Sequence, residues 1–195
     1  MKPLYLASKS PRRAEILQNL AYTFTVIAPD IDESVKPHEP PHAYVLRLCA
    51  EKAQAGIHLL GADLASQSII LAADTTVCVD DDILGKPDNT EHAVAILQSL
   101  EGRSHVVHTG VAVAANGEIK TAISTTRVWM RSLTDDEINA YVATGEPMDK
   151  AGSYGIQGLG GAFVARIDGS YTGVMGLPVF ETIKLLDELL LSKTA

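Results

Sequence analysis

The run IILAADTTVCVD, Ile69 to Asp80, sets the first constraint on the fold. It is a nearly continuous series of apolar and β-branched residues without polar alternation, and reads as a strand buried on both faces. A sheet containing such a strand needs cover on two sides, and the chain carries helices to supply it. Between His42 and Leu60, the residues Leu46, Ala50, Ala53, Ile57 and Leu60 recur at four- and three-residue spacing, one face of an amphipathic helix. Asp88 to Leu100 and Thr134 to Thr144 read as further helices, because DNTE and TDDE each place a capping residue three positions before a Glu. Pro178 opens a last helix with Val179, Ile183, Leu186 and Leu190 on one face.

Other strands complete the sheet. PLYLA (Pro3 to Ala7) and YTFTVIAP (Tyr22 to Pro29) are short β-type runs, and Asn116-Gly117 between two β-type stretches is a strong hairpin signal. AFVARIDGSYTGVMG is strand-like. DIDESVKPHEPP and the Gly-rich GEPMDKAGSYGIQGLGG are loops, the acidic run Asp80–Asp82 a solvated hairpin turn, and LLGADLASQS an insertion in a surface loop. Crossover helices beside a hairpin predict an α/β fold with a mixed sheet. The absence of repeats and linkers predicts one domain over residues 1–195.

Composition narrows the functional classes. A chain of 195 residues buries roughly 70% of its unfolded surface, enough for a substantial core. The net charge of −8 argues against a long basic surface for nucleic acid, so an anionic partner needs a local cationic pocket, with a metal to assist. Cys49 and Cys78 lie in apolar runs and read as buried thiols. MKPLYLASKS is too short and polar for a signal peptide, and no apolar run reaches about 18 residues. A soluble cytoplasmic protein without membrane contact is expected.

One helix start breaks the rules that the others follow. In ASKSPRRAEILQNL, Ser10 reads as N-cap and Pro11 as the first helical residue, yet Arg12 and Arg13 follow in the first turn. The positive end of the macrodipole disfavours cations there by a few tenths to ~1 kcal/mol each. Either the pair is a solvated surface feature, or an anion joins Ser8, Ser10 and the arginines at the helix N-terminus. No Walker A or dinucleotide-binding motif is present.

Asp74 stands inside the apolar strand, where a carboxylate is costly without a cation, a metal or hydrogen bonds. Its alternative is a turn-capping Asp at a strand end. Lys52, mid-helix, and Lys86, in LGKP, are cations within reach of such a site or plain surface lysines. Glu33 in DIDES offers a second oxygen ligand for Mg2+, which takes one or two carboxylates plus phosphates and water. Gln157, in a loop whose glycines let backbone approach a ligand, suits reading a base edge or is a structural amide. His105 and His108 face opposite sides of a strand and cannot share a metal. Neither H-E-x-x-H nor G-x-S-x-G occurs.

Taken in order, LASKSPRR, DIDES, EKA, AADTTV, LGKP and DKAGSYGIQGLGG resemble the Maf family over nearly the whole chain. These are the septum-formation-inhibitor-like nucleoside triphosphate pyrophosphatases. The resemblance implies a Maf/ITPase-like fold: an elongated mixed α/β sheet flanked by helices, in two lobes with a central cleft. It implies hydrolysis of a nucleoside triphosphate to monophosphate and pyrophosphate with a divalent cation, Mg2+ or Mn2+. By motif position, Ser8, Arg13, Lys52 and Lys86 would bind phosphate, Glu33 and Asp74 the metal, and Asp74 would be the proton acceptor. Arg12, Thr75 and Gln157 would set substrate choice. SPRR with ADT and YGIQG resembles the subgroup that cleaves dTTP and UTP, with house-cleaning of modified pyrimidine nucleotides as its setting. The relatives that cleave 7-methyl-GTP tend instead to carry a Trp after the Pro and a Glu near the Gln position. The rival class is a nucleotide-binding regulator or inhibitor of cell division with little turnover. For assembly, a homodimer is the expectation.

Overall fold

The computed structural model describes residues 2–80 and 82–191, apart from the side chains of 190 and 191. In chain order it forms β1 (Leu4–Ala7), α1 (Pro11–Asn19), β2 (Phe24–Ile27), α2 (Pro41–Leu60) and α3 (Ala62–Ser66). Next come β3 (Ile69–Val79), β4 (Asp82–Leu84), α4 (Thr90–Leu100), β5 (Ser104–Ala115), β6 (Glu118–Met130) and α5 (Asp135–Val142). Short 3-10 turns at Glu146–Asp149, Ala151–Ser153 and Leu159–Phe163 lead to β7 (Val164–Asp168), α6 (Tyr171–Met175) and α7 (Val179–Leu191). The sheet runs β2-β1-β3-β5-β6-β7, with β4 also on β3. β1 is parallel to both its neighbours and every other pairing is antiparallel, so the sheet is mixed as expected.

β3 is the backbone of this arrangement. One of its edges pairs with β5 from Ile70 to Cys78. The other pairs with β1 over Ile69–Ala72 and with β4 over Val77–Val79. Residues 73–76 therefore have an edge that no strand among the described residues covers. Side chains on the odd positions of β3 enter two separate cores. Ile69, Leu71 and Ala73 pack with α1 and α7, whereas Val77 and Val79 pack with α4 and α5. On the even face Ile70 and Ala72 pack against Cys49 and Ala53 of α2. Two lobes thus share one long sheet, and the uncovered edge marks their boundary.

Several details depart from the sequence reading. The buried stripe of α2 is Val45, Leu48, Cys49, Ala53 and Gly56, while Leu46, Ala50, Ile57 and Leu60 are half-buried. The helix backbone approaches β5 closely at one point: a Cβ on Gly110 would stand 2.5 Å from the Val45 carbonyl oxygen. α4 begins at Thr90, and Asn89 caps it by accepting from the His92 N–H at 2.8 Å. The predicted box is absent because Glu91 falls one position too early. On α7, Thr182, Leu185, Leu186 and Leu189 are buried and Ile183 only partly so. Thr182 hides its hydroxyl by donating to the Pro178 carbonyl at 2.7 Å, and the side chain of Leu190 lies outside those described. Only 164–168 of the strand-like AFVARIDGSYTGVMG is strand. Ser170 then caps α6 by accepting from the Gly173 N–H at 2.9 Å. LLGADLASQS contains the exposed helix α3. Asp80 and Asp82 flank the expected β3–β4 turn, with Asp81 outside the described residues. The capping box at Thr134 and Glu137 forms as predicted. So does the 116–117 turn, whose φ values of 58° and 83° suit Asn-Gly. Both cysteines are buried thiols, and no disulfide joins them.

Candidate active site

The gap in the sheet opens into a cleft of about 610 Å3. Neighbouring residues on a strand point to opposite faces, yet Asp74 and Thr75 both line this space because β3 is bare at its edge there. The loop after β1 forms one wall. Ser10 occupies the N-cap position of α1, but its side chain makes no capping bond. Instead Ser8 Oγ accepts from the Ser10 N–H at 3.2 Å, leaving the first turn uncapped beside the cleft. Arg13 turns inward and is buried. It donates through Nε to the Gly176 carbonyl at 2.7 Å, through Nη1 to Ser8 Oγ at 3.1 Å and through Nη2 to Thr75 Oγ1 at 3.1 Å. Burial lowers its pKa, although a guanidinium keeps its proton throughout the usual pH range. The Thr109 hydroxyl lies 3.0 Å from Thr75 Oγ1 and 2.8 Å from the Gly173 carbonyl. Having one proton, it gives it to the carbonyl and accepts from Thr75. Arg12 takes the opposite course, and its Nη1 meets Asp149 Oδ2 at 3.1 Å on the far wall.

Asp74 is buried on the α2 side. Lys52 Nζ donates to its Oδ1 at 2.6 Å and also pairs with Glu33 Oε1 at 2.8 Å, so one ammonium holds two carboxylates together. Burial pushes the Asp74 carboxyl above its usual range, against the pull of Lys52 and Arg13. Glu33 is partly desolvated, but Lys52, Lys86 and Arg13 outweigh that and hold it below the usual range. Tyr44 and Arg47 place the Glu33 loop. The Tyr44 hydroxyl donates to the Glu33 carbonyl at 2.9 Å, and Arg47 donates to the Ser34 carbonyl at 3.0 Å. Arg47 also forks onto Glu39 at 2.6 and 2.7 Å. Desolvation, with Asp74 and Glu33 nearby, pushes the Tyr44 phenol up to about 12. Neither Tyr44 nor Arg47 was singled out from the sequence; an Arg one helical turn before Glu51 is an ordinary surface pattern.

The opposite wall is the Gly-rich segment with Lys86 beside it. Lys86 and Gln157 are exposed in the cleft, and neither makes a hydrogen bond to the described residues. Asp149 and Lys150, also unforeseen, complete the wall. In all, six cations (Lys9, Arg12, Arg13, Lys52, Lys86 and Lys150) line the cleft against four carboxylates, on a chain of net charge −8. Every residue expected at the site lines this one space. No group of three His, Cys, Asp or Glu side chains placed to hold a metal occurs among the described residues. The Glu33–Asp74 pair still fits a hard divalent cation whose remaining ligands are phosphate oxygens and water, since both carboxylates already converge on one positive charge.

Comparison with known proteins follows the same lines. A protein of Methylobacillus flagellatus named dTTP/UTP pyrophosphatase is 57% identical over 186 residues, 95% of this chain and 92% of that one. One of the same name from Vibrio parahaemolyticus is 50% identical, covering 96% and 97% of the two chains. The structure of the Staphylococcus aureus Ham1 protein matches with a TM-score of 0.50 at 14% identity, over 99% of this chain and 100% of that one, a likeness of fold. No helix among the described residues is long and apolar enough to cross a membrane. The family model described as Maf-like protein matches residues 3–189, from the foot of β1 into α7, and the chain belongs to the Maf family.

Proposed function

We propose that this chain hydrolyses nucleoside triphosphates, dTTP and UTP foremost, to the nucleoside monophosphate and pyrophosphate, and that residues 1–195 act as one catalytic domain. The observation that carries this reading is Asp74: a buried carboxylate held by Lys52 at the bare edge of β3, in a cationic cleft. The names of the relatives supply the choice of nucleotide.

In this reading Ser8, Arg13, Lys52 and Lys86 bind the phosphates. Ser8 Oγ accepts two hydrogen bonds and so has its own proton to donate. Asp74, at the bare edge of β3, takes a proton from water as the water attacks the α-phosphorus in line. The bond from that phosphorus to the bridging oxygen breaks, and pyrophosphate leaves with its charge met by the cations already in place. Glu33 and Asp74 would hold a divalent cation, Mg2+ or Mn2+, whose chemistry is to polarise phosphate oxygens and offset their charge. Arg12, Thr75 and Gln157 select the substrate; Thr75 acts at least through Arg13, which its hydroxyl holds. A cytoplasmic homodimer working on free nucleotides, with no nucleic acid or membrane partner, is the setting this implies.

Incubation with dTTP or UTP and Mg2+ or Mn2+, followed by product analysis, tests the proposal. Equimolar monophosphate and pyrophosphate is the expected result. Inorganic phosphate would mean a different hydrolase, and nucleotide binding without product would mean a regulator.

A further inference from the structure

The segment GSYGIQGLGG has four glycines within seven residues, Gly155, Gly158, Gly160 and Gly161, a composition that reads as a mobile loop. Its backbone is instead wrapped around one carboxylate. Glu146 accepts from the Leu159 N–H at 2.9 Å, the Gly160 N–H at 3.1 Å and the Tyr141 hydroxyl at 2.9 Å. That hydroxyl in turn accepts from the Gly155 N–H at 3.1 Å. Three of the glycines are explained by this wrapping. A Cβ at Gly158 would stand 2.5 Å from both Glu146 carboxylate oxygens. One at Gly160 would stand 2.7 Å from the Tyr141 hydroxyl, and one at Gly155 2.7 Å from the Lys150 side chain. The anchor itself is fixed from outside the loop. Lys150 donates to the Glu146 carbonyl at 2.6 Å, and the buried Tyr141 ring packs edge-on against Phe163 with centroids 4.9 Å apart.

Gln157 lies between the tied Gly155 and the tied Leu159, exposed to the cleft and without a hydrogen bond to the described residues. We infer that Glu146, seconded by Tyr141, is a positioning residue for substrate choice: it fixes the backbone of 155–160 so that the Gln157 amide is presented to the base. This rests on the proposal that Gln157 meets the base. Glu146 spends its carboxylate on the loop and on Tyr141, so it has no part in the bond-breaking step.

The test compares Glu146→Ala, Glu146→Gln and Gln157→Ala in the full chain, with dTTP and the purine triphosphate dATP as substrates. Glu146→Ala is expected to raise KM for dTTP about tenfold with kcat nearly unchanged, as misplacing a group that positions substrate does. The preference for dTTP over dATP falls with it. Glu146→Gln, which keeps an acceptor for the Gly160 N–H and the Tyr141 hydroxyl but sets an NH2 against the Leu159 N–H, recovers only part of the loss, and Glu146→Ala adds nothing in a Gln157→Ala background. Faster hydrogen exchange at the Leu159 and Gly160 amides in Glu146→Ala reports the loosened loop independently of turnover. If Gln157→Ala erodes the preference and Glu146→Ala does not, the anchor is wrong and the base-reading proposal stands. If Gln157→Ala leaves the preference intact, both are overturned, and the amide exchange still shows whether the loop is held as described. Should Glu146→Ala fail to fold, Tyr141→Phe removes only the hydroxyl, and the same shift to about a third of its size is expected; no shift there overturns the anchor.

Discussion

The two walls of the cleft are held in place by different materials. On the β1–α1 wall, side chains hold side chains: Arg13 ties Ser8 to Thr75 and to the Gly176 carbonyl. On the Gly-rich wall, a carboxylate holds backbone, with Glu146 accepting from two main-chain N–H groups. A side-chain clamp places charges at set points, which suits phosphate oxygens that carry the same geometry in every nucleotide. A wrapped loop places its crest, and whatever residue occupies the crest can change without disturbing the wrap. In the proposed function, that difference would separate the constant part of a substrate from the variable part.

The sharpest blow to this contrast falls where the walls meet, at Asp74. Asp74→Asn keeps shape and hydrogen-bonding capacity but removes the base, and kcat should fall about 10²–10⁴-fold. Nucleotide binding, measured by equilibrium dialysis, should survive, because the clamps on both walls are untouched. Full turnover in this variant would remove Asp74 from the chemistry.

The neighbouring arginines break the comparison at a single peptide bond. Arg13→Ala leaves the Gly176 carbonyl and two hydroxyls without their buried donor, and should cost about 3 kcal/mol of stability as well as phosphate affinity. Arg12→Ala should cost less than ~1 kcal/mol, since its partner Asp149 has a side chain 61% exposed. Thermal denaturation of both variants checks the split. Equal losses would mean that Arg13 is a surface residue in solution.

Acid should destabilise the fold through a buried histidine next to the backbone wall. His105 is buried on β5, its Nε2 2.8 Å from the Tyr154 hydroxyl and its Nδ1 without a hydrogen-bond partner among the described residues. Tyr154 is the residue before Gly155, so this contact lies beneath the wrapped loop. Burial, and then Arg103, lower the His105 pKa to about 4, from about 6.5 when unfolded. Above pH 6.5 the ring is neutral in both states and its contribution is fully present. As pH falls from 6.5 to 4 the unfolded chain takes up the proton first, and stability drops by up to about 3 kcal/mol. Asp74, with a raised pKa, works in the opposite sense, which makes a difference experiment necessary. His105→Phe should flatten the pH dependence of Tm in that window relative to the parent. An unchanged slope would show that the imidazole titrates normally.

The side-chain wall was legible in the sequence; of the backbone wall, Lys86 and Gln157 were legible and the group that holds the loop was not. Asp74 is conspicuous because a carboxylate in an apolar strand needs a reason, and Arg12 and Arg13 because they oppose a helix dipole. These signals are local violations of helix and strand rules. Glu146 violates nothing: it follows Gly145 in a loop, where an acidic residue is ordinary, and its partners lie 13 and 14 residues onward. Its only trace is the spacing of Gly155, Gly158 and Gly160, which says that something lies close without saying what. The faces of α2 and α7 were misjudged for a related reason. Hydrophobic spacing counts apolar residues, whereas the close approach at Gly110 turns Val45 and Cys49 of α2 inward, and α7 buries a threonine that bonds the Pro178 carbonyl.

The smallest effect is the most informative about how the walls are joined. Arg12 Nη1 reaches Asp149 Oδ2 at 3.1 Å across the cleft, and Lys150 pairs with the same carboxylate at 2.7 Å. Two cations that would otherwise face a triphosphate are thus partly neutralised by one exposed Asp. Asp149→Asn removes that competition and raises the cleft's charge by one. Stability should change by less than ~1 kcal/mol, as an exposed pair is worth little. Triphosphate affinity should rise a few-fold at low ionic strength, and the gain should shrink as salt is added and the charges are screened. In Arg12→Ala the same Asp149→Asn change should produce a smaller gain, because only Lys150 is then released. If Asp149→Asn weakens binding instead, the pair draws the two walls together around the nucleotide, and the bridge is part of the closed site.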